Sequence, residues 1–187
     1  MMLLMGLVLS TLIVSDVAAD IALNEELEKS EQEKMTQGSW IFGRSHVLHD
    51  EYCSHGWFYR GYCYTFIERL MPWITAEMYC QKLAPGGHLA SIHSKLQNNF
   101  IRQLIHEANE RDPETWIGLN NVFKWESLTW TDGSGVDFTD WYSTNPILIR
   151  RLFLRCVMFN FDIPNKWEIS YCLPRKPFVC AYKLQLN

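Results

Sequence analysis

Beyond its first 19 residues the chain has no apolar run long enough to cross a bilayer, which takes about 20 residues. It has no Asn-x-Ser/Thr sequon, so N-glycosylation is not expected. There is no Gly-x-Ser-x-Gly elbow, no His-Glu-x-x-His pair and no phosphate loop. No pattern places two carboxylates in one cleft either, so no residue is a candidate for catalysis and an enzyme is the least expected class. The absence of any Cys-x-x-Cys pair argues against thiolate zinc ligands. Basic residues number 17 against 21 acids and gather on no face, which argues against a nucleic-acid partner. No internal repeat or low-complexity tract occurs. The 187 residues that remain to be explained suffice for one well-cored domain with appendages.

What is present is unevenly spread. Residues 1–19 carry an uncharged apolar stretch from Leu3 to Val14, then small residues at Val17-Ala18-Ala19. This reads as a signal peptide cleaved before Asp20, although no Lys or Arg precedes the apolar stretch. An uncleaved anchor is the alternative, but the stretch is short for a span. A secreted, extracellular protein is expected. Residues 20–49 hold six acids against three bases and few aromatics, the composition of an acidic leader or propeptide. Leu23 and Leu27 share a helical face there, too little for a coiled coil. His46, His49 and His55 cluster loosely and read as solvated side chains rather than zinc ligands.

From residue 50 to 187 the chain is dense in aromatics, and it includes most of the eight tryptophans. Residues 56–66 predict a hairpin turning at Arg60-Gly61. Pro72 opens a helix with Trp73, Ala76, Cys80 and Leu83 on one face, ended by Pro85-Gly86-Gly87. Residues 89–92 read as a short strand. Ser94 and Gln97 form a capping box for a second helix with Leu96, Phe100, Leu104 and Ala108 at steps of four. Residues 116–119 predict a buried strand, and residues 129–131 another before an Asp132-Gly133 turn. Residues 133–155 have little period and read as a long loop. Residues 156–161, 166–169 and 178–183 are the closing strands.

All six cysteines, Cys53, Cys63, Cys80, Cys156, Cys172 and Cys180, lie in this second part. An even count in an exported chain implies a disulfide framework, but counting alone leaves fifteen connectivities for six cysteines. Cys53 and Cys63 flank the hairpin and are placed to close it locally.

The ordered landmarks Trp57…Cys63, Trp73…Cys80, Gly87-His88-Leu89-Ala90-Ser91-Ile92, Trp116-Ile117-Gly118-Leu119, Trp130-Thr131-Asp132-Gly133 and Cys156…Trp167…Cys172…Val179-Cys180 resemble the long-form C-type lectin-like domain. The chain is most similar to its small secreted fish lectins, the ladderlectin-type proteins and type II antifreeze proteins. The resemblance implies an α+β fold of two helices, small antiparallel sheets and a long irregular ligand loop. It implies the disulfides Cys53–Cys63, Cys80–Cys180 and Cys156–Cys172, and a role in innate defence.

The same resemblance locates a calcium-and-sugar site whose oxygen positions carry Asn145, Ile147, Leu154, Glu168 and Ile169. Three are aliphatic, so Asn145 and Glu168 are at most the residual ligands. Calcium takes six to eight oxygens, and two do not repay its dehydration. No metal or cofactor is therefore expected at that place. The neighbouring run from Ile147 to Arg155 mixes large apolar residues with Arg150, Arg151 and Arg155. It reads either as a strand entering the core or as a contact patch in which Arg150 and Arg151 bind ligand. His88 and His93 read as structural, and Asp137, Asp140 and Asp162 as surface or turn acids. The expected function is recognition of a glycan or protein surface without calcium. Ice binding is the alternative. A toxin-like or structural subunit that dimerises through the loop, a homo-oligomer, is the second.

Overall fold

The computed structural model describes Cys53 and residues 56–124, 126–142 and 154–184. The expected signal peptide (1–19), the expected acidic leader (20–49), His46, His49, His55 and the residues Asn145, Ile147, Arg150 and Arg151 lie outside the described residues.

Among the described residues ten elements follow in chain order: β1 Trp57–Tyr59, β2 Tyr62–Met71, α1 Trp73–Leu83, β3 His88–Leu89, α2 Lys95–Ala108, β4 Thr115–Asn120, β5 Thr129–Trp130, β6 Cys156–Phe159, β7 Trp167–Ser170 and β8 Lys176–Lys183. The strands run β1-β2-β8-β4-β6-β7, with β3 added on β8 and β5 on β4. All pairings are antiparallel except β4 with β8. The hairpin forms at the expected tip, where Arg60 and Gly61 both adopt positive φ (46° and 84°) and pair Tyr59 with Tyr62.

The central strands β4 and β6 are buried on both faces, and residues alternate between two cores as strand geometry requires. On β6, Val157 and Phe159 face one core while Cys156 and Met158 face the other. On β8, Val179 faces the first, and Phe178 and Cys180 face the second. Helix α2 seals the first core with Leu96, Phe100, Ile101, Leu104 and Ile105. Helix α1 seals the second with Trp73, Ala76 and Cys80. Strand β4 sits between both and is buried throughout. Three indoles with no exposed surface each find an acceptor: Trp73 Nε1 donates to Ile117 O (2.8 Å), Trp116 Nε1 to Met71 O (3.0 Å) and Trp167 Nε1 to Asn98 Oδ1 (2.8 Å).

The disulfides join Cys53–Cys63, Cys80–Cys180 and Cys156–Cys172. The first closes the hairpin, the second fastens α1 to β8, and the third ties β6 to the segment after β7. Two helical positions differ from expectation. Leu83 is 41% exposed because α1 ends there and the chain turns away at Ala84. Ala108 is exposed at the last position of α2, beyond the reach of the core. The strand expected over 89–92 is only His88–Leu89; Ala90 and Ile92 enter the core as extended chain. The Ser94 cap forms with Gln97 N at 3.2 Å, but the Gln97 carbonyl takes His93 N (2.8 Å), one residue before the box position. Its amide is drawn there by Tyr64 Oη (2.9 Å) and Ser91 O (2.7 Å).

Candidate functional site

The long loop leaves and re-enters the domain beside β6 and β7, and both of its ends are pinned. At the start, Trp141 bridges Trp167, Trp167 N donates to Asp140 O (2.9 Å) and Tyr142 N donates to Trp167 O (2.8 Å). At the end, Arg155 N donates to Asn121 Oδ1 (2.6 Å), and Asn121 N donates to Arg155 O (3.0 Å). Trp167 works from the core side, where Phe138, Trp141 and Trp130 meet its ring edge-on.

Asp140 organises the charge at this base. Its carboxylate accepts from Lys95 Nζ (2.7 Å), from Lys166 Nζ and from Asn98 Nδ2 (3.0 Å). Asn98 is fully buried and closes the network by accepting from Trp167 Nε1 and donating to Asn165 O (3.1 Å). Burial pushes the Asp140 carboxyl up, but the hydrogen bonds from Lys166 and Lys95 outweigh it and hold it below its ordinary 3.8. Asp140 is thus an anchor, not the surface acid expected, because Lys95 of α2 and Lys166 just before β7 converge on it. Asn98 gave no signal beyond a polar residue beside Gln97 inside a helix whose remaining buried positions are apolar.

Around the base lie Tyr142, Leu154 and Ile163, exposed by 40%, 43% and 49%. The Tyr142 ring meets Phe161 edge-on, and its hydroxyl donates to Asp162 Oδ2 (2.6 Å). The hydrogen bond to Asp162 pushes the Tyr142 phenol above its ordinary value.

Of the expected oxygen set, Leu154, Glu168 and Ile169 are described. Glu168 stands on β7, opposite Met158, with Oε1 accepting from Ile169 N (2.9 Å). Ile169 is 5% exposed and packs in the α2 core. Leu154 is aliphatic. Among these positions only Glu168 offers a side-chain oxygen, and one of its two already has a donor. Calcium needs six to eight. The described residues therefore do not fit the ion. Among the described residues no three His, Cys, Asp or Glu side chains converge as a metal site. His88 Nδ1 lies 2.7 Å from Glu77 Oε1, and His93 Nδ1 lies 2.8 Å from Asp137 Oδ1.

Residues 69–182 match the Lectin C-type domain. A lectin of Pleurodeles waltl is 38% identical over 134 residues, covering 71% of this chain and 77% of that protein. The galactose-specific lectin nattectin of Thalassophryne nattereri is 35% identical, covering 71% and 81% respectively. A solved calcium-independent type II antifreeze protein superposes with a TM-score of 0.60 at 28% identity, covering 71% of this chain and 95% of that one. The match over residues 69–182 and the relatives above 30% identity show that the chain belongs to the C-type lectin domain family.

Proposed function

We propose that the chain is a secreted recognition module that binds a glycan or a protein surface through the loop between Tyr142 and Leu154, without calcium. The observation that carries this reading is Ile169. An aliphatic side chain packed in the core occupies a position where a calcium site needs an oxygen, and Leu154 repeats the loss. Recognition then falls to apolar contact and to hydrogen bonds from the loop, with Arg150 and Arg151 as its donors and Asn145 and Glu168 as further candidate contacts. The rim of Tyr142, Leu154 and Ile163 supplies the apolar part. Export through residues 1–19 is supported by the cysteines: all six pair, and none is free, as an oxidising compartment allows.

A glycan array probed with the full secreted chain, with calcium and again with chelator, tests this. Binding is expected to persist in chelator and to fall when Arg150 and Arg151 are replaced by Ser. Binding lost in chelator would overturn the reading. The likeness to a calcium-independent type II antifreeze protein favours ice as a second reading. Thermal hysteresis in the purified chain would establish it.

A further inference from the structure

A recessed surface lies beside the β1–β2 hairpin. Strand β1 is the edge opposite β7, and the loop ends are held at β6 and β7. Because Trp57 pairs with Tyr64 and Tyr59 with Tyr62, one face of the β1–β2 hairpin carries all four aromatic side chains. Tyr59 stacks on Phe100 of α2 at 4.6 Å, and Tyr64 meets the same ring edge-on at 5.3 Å. Facing this aromatic wall are Ser91 and His93 from the chain after β3, and Asp132 and Ser134 from the turn after β5. Together with Arg60, Tyr62 and Gln97 they line a cavity of about 240 Å³. That lies below the roughly 300–1,000 Å³ of clefts that hold drug-sized ligands, and so suits one small ring.

The polar groups here are fixed before any ligand arrives. Asp132 accepts from Ser134 N (2.9 Å), from Ser134 Oγ and from Ser91 Oγ. His93 Nε2 lies 3.1 Å from Ser134 Oγ, and its ring packs against Trp130 at 6.0 Å. Burial pushes the Asp132 carboxyl up, but the hydrogen bonds from Ser134 and Ser91 outweigh it, so it remains an anionic acceptor at neutral pH. Burial also pushes the Tyr64 phenol up, which keeps its hydrogen; Gln97 Nε2 donates to its oxygen at 2.9 Å. Arg60, whose guanidinium lies 5.7 Å from the Tyr59 ring centre, brings donors to the hairpin rim.

The charges select among ligand classes. Asp132 repels phosphate, sulfate and carboxylate, while Arg60 repels ammonium groups. A neutral polyol suits both, because hydroxyls can donate to the carboxylate and accept from the guanidinium. The Tyr62 ring, 40% exposed at the mouth, offers an apolar face to the C–H side of a sugar ring. We propose that the pocket between the hairpin and the Asp132 turn binds a single neutral sugar ring, independently of calcium and of the segment between Tyr142 and Leu154.

The test is a titration of the isotope-labelled full chain with methyl galactoside, methyl mannoside and N-acetylglucosamine in chelator, read by amide chemical shifts. At least one sugar is expected to move the resonances of Ser91, Asp132 and Ser134. Tyr62→Ala should weaken that binding about tenfold, since it removes the exposed ring. Tyr62→Phe should preserve it, and so should the double replacement of Arg150 and Arg151 by Ser. Shifts elsewhere in the free spectrum report whether each variant folds as the parent does. No response at these residues at saturating millimolar sugar would overturn the proposal. So would binding that survives Tyr62→Ala but vanishes in the Arg150/Arg151 variant, which would assign the sugar to the loop. A response confined to sialylated or sulfated sugars would overturn the neutral class.

Discussion

Glu77 is 1% exposed on the inner side of α1, and it answers three donors at once. Its Oε1 faces His88 Nδ1 and accepts from Gln81 Nε2 (2.8 Å), while Oε2 accepts from Leu89 N (2.9 Å). Removing the carboxylate leaves a buried backbone N–H and a half-buried imidazole without it. Glu77→Ala should therefore cost about 3 kcal/mol in chemical denaturation, and Glu77→Gln clearly less, since an amide oxygen can still serve Leu89. Equal losses in the two variants would show that volume, not hydrogen bonding, matters there. Asp140 makes a pH-dependent contribution. Its folded-state value lies below the ordinary 3.8, so its stabilisation is complete above that value and is lost as pH falls through the lower folded one. Stability measured from about pH 5 to pH 2 should fall less steeply in Asp140→Asn than in the parent. Parallel curves would place the acid sensitivity elsewhere.

At the scale of elements, β3 and β4 approach so closely that only glycine fits between them. A Cβ on Gly118 would lie 2.5 Å from Leu89 O and 2.8 Å from Thr131 Oγ1. Gly118 also donates to Ala90 O (2.9 Å) and accepts from Thr131 N (3.2 Å), so moving the backbone aside breaks pairing on both flanks. Gly118→Ala is expected to cost about 2 kcal/mol, read as a lower denaturation midpoint with the slope unchanged. A neutral result would mean that β3 shifts freely. Local signals explain which elements were legible in advance. The Arg60-Gly61 tip, the Ser94 cap and the unbroken apolar run of β4 are written in adjacent residues. Leu83 and Ala108 were misplaced because periodicity continues past the point where a helix has core to face. Glu77, Asn98 and Asp140 were invisible for a different reason. Their partners stand up to 69 residues away, and polar convergence over such separations leaves no periodic trace. The Ile169 substitution was readable, because a residue type alone removes an oxygen.

At the scale of the whole molecule, the bridges and the calcium question both become stability measurements. The bridges close separations of 10, 16 and 100 residues. By the chain-entropy argument the first two contribute about 3 kcal/mol each and Cys80–Cys180 about 5, a large share of the roughly 5–15 kcal/mol that keeps a domain folded. Replacing Cys80 and Cys180 by Ser should thus be the most damaging of the three paired replacements. Calcium works through mass action instead. A site of micromolar affinity, given a thousandfold excess of the ion, would add about 4 kcal/mol to the folded state. In a domain of this size that raises the melting midpoint by roughly 10–20 °C, far beyond experimental scatter. The buried Ile169 and exposed Leu154 predict no such rise, so melts in millimolar calcium and in chelator should superimpose. A rise abolished by replacing Asn145 and Glu168 would restore the metal to the loop and overturn the proposed function. A rise that survives those replacements would place an ion elsewhere and leave the loop reading intact.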